Sequence, residues 1–285
     1  MKPIDLARLF LLAALWGSSY LFLRIATPVL GIFFVVGLRI VLAACVLGVY
    51  GALTHQINFK SRWKSYLLLG LLNNAIPFLL IAIAVIYLNA SIAAILNATT
   101  PLFTAIVSAL WLKEPLTKRK VMGLLLGVVG VAVLVGWNPL VRSYQVLLGI
   151  VSALIAAFAY ALGAVYVRYQ FRQNRPTEIA TGQLIGSSIL LMPLTVATVP
   201  KIMPSLEVIV AVVLLAIACT TFAYLLYFQL IANAGATQAA TVTFLVPVFS
   251  LLFGVVFLGE PVNSGLIIGM IIILLSIRLS LGTTK

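Results

Sequence analysis

The chain repeats its own punctuation. Pro101 precedes the dipeptide Glu114-Pro115 by thirteen residues, and Pro247 precedes Glu260-Pro261 by the same interval. The two prolines lie 146 positions apart, as do the two glutamates, which is about half of the 285 residues. The flanks keep this offset: Ala93-Ala94 answers to Ala239-Ala240, Gly17 to Gly163, Tyr20 to Tyr166 and Gly123 to Gly269. A fixed offset over so many positions marks two homologous halves. We place them at 1–140 and 141–285, so whatever fold the chain adopts has to be built twice.

What can be built twice is limited by solvent. Hydrophobic residues make up 64% of the sequence and charged residues only 8%, against roughly 25% charged in a soluble domain. The mean hydropathy is +1.23. These values exclude an ordinary soluble enzyme and point to a membrane interior. Lipid offers no partner to an open strand edge, and the apolar runs lack the alternation of a barrel, so helices are the expected form. Breaks in hydropathy predict ten spans near 4–26, 30–53, 65–87, 91–112, 119–137, 146–169, 178–197, 207–231, 236–258 and 263–281. The first run is too long for a secretory signal and has no small-residue cleavage site, so it reads as a retained span.

The formal net charge of +13 invites a nucleic-acid reading. The cations instead cluster in short loops between apolar runs, which is the distribution of the positive-inside rule and not a continuous basic face. A cytoplasmic N-terminus puts fourteen of the eighteen Lys and Arg residues on the inner side. Arg142 and Lys201 then fall outside, and Arg24 and Arg39 lie within spans. Both termini are therefore expected in the cytoplasm. Five spans per half is an odd number, so the second half enters the bilayer upside down. Glu114 is followed by Lys118-Arg119-Lys120, whereas its counterpart Glu260 is followed by the neutral Asn263-Ser264-Gly265. The basic loop is missing where inversion requires it to be missing. The expected fold class is an all-α membrane protein of ten transmembrane helices in two inverted five-helix repeats, an arrangement that puts a shared site at mid-membrane.

With these residues in view, the sequence resembles the EamA family of the drug/metabolite transporter superfamily over nearly its whole length. The resemblance is carried by Leu15-Trp16-Gly17-Ser18-Ser19-Tyr20 with Arg24, by Leu38-Arg39, by Ala93-Ala94 and Pro101, and by Leu112-Lys113-Glu114-Pro115-Leu116-Thr117 with Gly123 and Gly127. Pro247, Gly259-Glu260-Pro261 and Gly269 supply the second copy. It implies a multi-pass carrier of the bacterial inner membrane that exports amino acids, aromatic or threonine- and homoserine-like, or related small metabolites. The second half departs from the pattern at Leu162 and Gln170, opposite Trp16 and Arg24, so the implied site is asymmetric.

The candidate site residues are those that do not suit lipid. Arg39 is the only charge between Phe33 and Tyr50. An arginine at mid-membrane costs at least ~2.5 kcal/mol on insertion scales, so it should face a cavity or a partner. Its guanidinium suits a substrate carboxylate; bonding to helix-end carbonyls or closing a gate are the alternatives. Arg24 lies near the outer end of the first span, where it is a second candidate for the carboxylate and snorkelling to the interface is the alternative. Asn73, Asn74 and Pro77 interrupt the third span, with Cys219, Thr220 and Thr221 at the corresponding place in the eighth. Asn97, Thr99, Thr100 and Pro101 interrupt the fourth, and Thr241, Thr243 and Pro247 the ninth. Paired interruptions of this kind point to a carrier's binding site, with Pro101 and Pro247 as hinges. Trp16, Tyr20, Phe78, Tyr160 and Tyr224 lie inside spans beside polar residues and form a candidate aromatic sandwich. Trp63, Trp111 and Trp137 sit at span ends and read as interface anchors.

Glu114 and Glu260 each end a span before proline, where a brace is the expected role. No carboxylate is expected at mid-membrane and the only histidine, His55, lies in a basic loop, so no proton relay is legible. Cys45 and Cys219 stand alone in apolar runs, without a metal-binding spacing. Neither metal nor cofactor is called for. The small-residue ridges Gly123-xxx-Gly127 and Gly265-xxx-Gly269 predict close packing of the fifth and tenth spans.

A carrier is the function class these features favour, with a small-molecule substrate and the lipid bilayer as partners, as a monomer or weak homodimer. An enzyme would need a nucleophile, acid–base pair or metal cluster, and a channel a charged ring or filter motif. The first alternative within carriers is an exporter of organic cations, which wants a buried carboxylate where this chain has Arg39; the second is a nucleotide-sugar or phosphate-ester antiporter, for which Arg24 and Arg39 are few cations for several phosphates.

Overall fold

The structure is a computed structural model that describes residues 2–53, 62–136, 143–201, 203–234 and 239–281. His55, Trp137 and Arg142, the expected boundary at 140/141, and the loop and terminal charges Lys60 and Lys285 lie outside the described residues.

Every regular element among the described residues is helical. In chain order these are α1 (Pro3–Leu30) and α2 (Ile32–Leu53); α3 (Trp63–Tyr87) and α4 (Ala90–Trp111); α5 (Lys118–Gly136), α6 (Tyr144–Gln170) and α7 (Pro176–Ala197); and α8 (Leu206–Ala234), α9 (Val242–Leu258) and α10 (Ser264–Leu281). Seven of them, α1 to α4 and α6 to α8, are long and apolar enough to cross a membrane. The expectation was ten. α9 and α10 are shorter apolar helices, and α5 begins on Lys118-Arg119-Lys120, which dilutes its hydropathy.

The ends are set by local chemistry. Pro3 and Pro176 occupy first-turn positions, where a missing N–H costs nothing. Ser143 caps α6 by accepting from Gln145 N at 3.3 Å. Lys113 and Gly259, at the ends of the fourth and ninth helical segments, both take a left-handed backbone, with φ of 55° and 63°. They are 146 positions apart.

The packing is inside-out relative to a soluble protein. Ala43, Ala82, Ala93, Ala94, Ala153 and Ala156 are fully buried, while Leu110, Leu125, Val128 and Phe257 are exposed. Small side chains draw helices together where lipid gives no hydrophobic drive, and the large apolar ones face the acyl chains. The principal contacts come in couples. α1 packs on α9 and α6 on α4; α3 packs on α6 and α8 on α1; α3 touches α7 and α8 touches α2; α2 pairs with α7 and α5 with α10.

At two of these contacts only glycine fits. A Cβ on Gly70 of α3 would lie 2.5 Å from Gln183 O of α7, and one on Gly186 would lie 2.5 Å from Tyr66 O. The α5–α10 contact runs through Gly130, against Ile273, and Gly269, against Leu134. Gly127 packs chiefly on Leu102 of α4. A Cβ on Gly127 would also lie 3.2 Å from Ser276 Oγ of α10, so the expected close packing of the two helices is present, with Gly130 added to it.

Candidate functional site

Three interruptions open the middle of the bundle. In α3 the residues Leu71–Ala75 widen into a π turn, with Ile76 N bonding to Leu71 O. In α8 the residues Ile217–Phe222 do the same, and Thr220 and Thr221 fill the widened ladder by donating to Leu215 O at 2.7 Å and Ala216 O at 3.0 Å. The two π turns begin 146 positions apart. A π turn inserts one residue into the helical register and so re-aims the side chains on it. The third interruption is the Ala98-Thr99 step, which divides α4 into Ala90–Asn97 and Thr100–Trp111.

Around these breaks lies a cavity of about 310 Å³, walled by α1, α2, α3, α4, α6, α8 and α9. Nine of the ten expected binding residues meet there: Trp16, Tyr20, Arg39, Asn73, Phe78, Asn97, Tyr160, Thr220 and Tyr224. Asn74 does not reach the cavity. It is fully buried behind the wall, accepts from the Tyr224 hydroxyl at 3.1 Å, and keeps an Nδ2 without a partner.

Arg39 is the only charged residue of the lining and is 4% exposed. Its Nε donates to Thr220 Oγ1 at 2.8 Å, and its guanidinium carbon stands 4.1 Å from the centre of the Phe78 ring. Phe78 therefore supplies a cation–π contact. Neither ion pair found among the described residues includes Arg39, so its charge is held without a counter-charge. The amides are positioned by second partners. Asn73 Nδ2 donates to Gln183 Oε1 at 2.9 Å, and Asn97 Nδ2 donates to the Tyr20 hydroxyl at 2.9 Å. Trp16 and Tyr227 close one wall, with ring centres 5.3 Å apart.

Ser19, Ile81, Thr100, Cys219, Tyr227, Thr243 and Val246 also face the cavity and were not among the expected binding residues. The repeat contains the signal that finds several of them. Asn73 and Cys219, Phe78 and Tyr224, Ile81 and Tyr227, Asn97 and Thr243, and Thr100 and Val246 are all pairs at the 146 offset. An open groove of about 750 Å³ between α2 and α7, lined by Val41, Cys45, Ile189 and Met192 among others, is almost wholly apolar. Its lining holds no charged group, so the interior cavity is the candidate site.

Known proteins agree on what kind of molecule this is. A family model described as the EamA-like transporter family matches residues 6–136 and again 147–282. The chain belongs to the EamA-like transporter family. The uncharacterized transporter YvbV of Bacillus subtilis (strain 168) is 28% identical over 288 residues, covering 98% of this chain and 93% of that protein. An uncharacterized transporter of Archaeoglobus fulgidus is 25% identical, covering 94% and 95%. A solved crystal structure covers 98% of this chain and 97% of its own at a TM-score of 0.68 and 19% identity, a likeness of fold alone. The protein is a multi-pass membrane transporter of this family.

Arg24, Glu260 and Glu114 of this EamA-like chain act as braces. Arg24 donates to Val85 O, Ile86 O and Leu88 O at the C-terminus of α3, so it caps a helix and stays out of the cavity. Glu260 accepts from Ala90 N at 2.6 Å, Ser91 N at 3.2 Å and Ser91 Oγ at 2.6 Å, capping α4 from the end of α9. Glu114 pairs instead with Arg168 at the end of α6, and that hydrogen bond holds its carboxyl below the usual carboxylate range. The two prolines also differ. Pro101 sits in the first turn of the second α4 segment, whereas Pro247 lies inside the unbroken α9. Among the described residues no three His, Cys, Asp or Glu side chains converge as a metal site would require.

Proposed function

We propose that this chain is a secondary transporter of the bacterial inner membrane that exports amino acids, aromatic or threonine- and homoserine-like, or related small carboxylate-bearing metabolites by alternating access. The observation that carries this reading is Arg39: a buried cation, unpaired within the protein, facing a cavity of small-molecule size. A carboxylate on its free terminal nitrogens would replace water with a charge-assisted pair. Trp16, Tyr20, Tyr160 and Tyr224 would cover the substrate body, while Asn73, Asn97 and Thr220 fix its polar end. The volume of about 310 Å³ lies at the small end of the roughly 300–1,000 Å³ range of ligand sites. An organic-cation exporter, although served by the same rings, would have to work against Arg39.

The proposed topology is ten spans in two inverted repeats, 1–140 and 141–285, with both termini cytoplasmic. Its support is the coupled packing, the paired π turns, the paired left-handed residues and the double family match. Inversion allows each half to take the other's conformation in turn, exposing the cavity to alternate sides. Pro247, inside α9, and Pro101, at the break in α4, are the proposed bending points. Catalysis has no place in this reading, and no cofactor is required. A monomer or weak homodimer suffices, because the cavity is complete within one chain.

The test is counterflow in proteoliposomes with a panel of labelled amino acids. Saturable counterflow is expected, reduced about tenfold or more by Arg39→Ala, the loss of one charge-assisted pair. Full transport by that variant, at normal expression, would remove Arg39 from the site.

A further inference from the structure

The cavity is lined by one cation, Arg39, and by no anion. All five carboxylates of the sequence have places elsewhere. Asp5 accepts from Arg8 and Asn233, Glu114 from Arg168, Glu178 from Tyr66 and Asn174, and Glu260 from the start of α4. Glu207 is exposed in the first turn of α8.

Broken helices normally offer a second kind of acceptor, the freed backbone carbonyls with which carriers hold cationic groups. At the break in α4, at the start of α9 and in the π turn of α8 the chain's own hydroxyls answer them. Thr99 Oγ1 donates to Leu96 O at 2.6 Å, Thr100 Oγ1 to Asn97 O at 2.7 Å and Thr243 Oγ1 to Ala240 O at 2.9 Å. Thr220 and Thr221 do the same in the π turn of α8. Asn97 Oδ1 lacks a donor, yet it is buried off the cavity surface.

The donors, by contrast, are open. Arg39 uses Nε on Thr220, and its two terminal nitrogens have no hydrogen-bond acceptor among the described residues. The Tyr20 hydroxyl accepts from Asn97, which leaves its own hydrogen to give. Trp16 and Tyr160 add an indole N–H and a hydroxyl on the same lining. An ammonium brought into about 310 Å³ beside Arg39 would find a like charge and no anion.

We infer that the cavity selects a small monoanion, a carboxylate on an aromatic or branched apolar body, over the zwitterionic amino acid with the same side chain. The inference rests on the reading of Arg39 as the carboxylate partner and sharpens it: the α-ammonium is a handicap, and the deaminated or N-acylated acid is the better ligand.

Titration calorimetry on the purified full chain in lipid nanodiscs at pH 7 tests this with four matched probes: 3-phenylpropionate, N-acetylphenylalanine, phenylalanine and phenethylamine. 3-Phenylpropionate is expected to bind at least about tenfold tighter than phenylalanine, the order of effect when a buried charge goes unmatched. Arg39→Gln is expected to erase that advantage. Phenylalanine binding as tightly as 3-phenylpropionate, with both weakened by Arg39→Gln, overturns this inference and leaves the amino-acid exporter standing. Phenethylamine binding tightest, indifferent to Arg39→Gln, overturns both. Failure of both acids to bind the parent protein also overturns the inference. The rank order in the parent protein decides even where the variant does not fold.

Discussion

Arg39 and Thr220 lie in opposite halves of the chain and share a hydrogen bond of 2.8 Å at the centre of the molecule. The Thr220 hydroxyl spends its hydrogen on Leu215 O, five residues back in the π turn, and so presents a lone pair to the guanidinium. Phe78 supports the other face at 4.1 Å. One helix irregularity in the second half thus orients the charge that the first half supplies, with the terminal nitrogens of Arg39 left without an acceptor among the described residues.

Thr220→Val should therefore loosen the site without emptying it. A hydrogen bond to a charged group is worth about 1.5–3 kcal/mol, so KM for the transported acid should rise roughly tenfold or more. Thr220→Ser keeps the hydroxyl and should stay near the parent value. The check is KM from counterflow, with expression and monodispersity as controls. An unchanged KM in Thr220→Val would mean that Arg39 is oriented by other contacts.

Much of this arrangement is legible in the sequence, for a physical reason: lipid makes polar residues conspicuous. Arg39, Asn73, Asn97 and Thr220 are out of place in apolar runs, and all four face the cavity. Helix ends such as Ile32–Leu53 and Pro176–Ala197 fall within two residues of those read from hydropathy. Local geometry was not legible. Asn73 and Asn74 are adjacent on a π turn, and hydropathy alone does not tell which one faces inward. Arg24 and Arg39 look alike as intramembrane cations, yet Arg24 meets three helix-end carbonyls. Composition does not reveal such a partner, because the acceptors are backbone atoms that every residue carries.

The two copies of the Glu-Pro motif should separate in a stability measurement. Glu260 is buried and satisfies two backbone N–H groups and one hydroxyl at the start of α4. Glu260→Ala strips that helix N-terminus of its acceptor and should cost about 2–4 kcal/mol. Glu114 shares a half-exposed ion pair with Arg168, and Glu114→Ala should cost less than about 1 kcal/mol. Thermal unfolding of the two variants in the same detergent checks this. Equal losses would show that the capping contact at α4 contributes no more than a surface pair.

Glycine substitutions separate tight crossings from open helix faces. Gly48 in α2 has no neighbour where a Cβ would point. Gly48→Ala should be neutral or stabilise by up to about 1 kcal/mol through helix propensity. At Gly70 the same methyl would lie 2.5 Å from Gln183 O and 2.6 Å from Ser187 N, and backbone does not rotate away as a side chain does. Gly70→Ala should cost about 1–3 kcal/mol by overpacking and push α3 off α7. Transport should fall with stability, because Asn73 is only three residues away and is held by the Gln183 side chain. Melting temperature and counterflow rate, measured side by side on both variants, test the claim. A Gly70→Ala protein that melts and transports like Gly48→Ala would show that the two helices can separate there without disturbing the cavity.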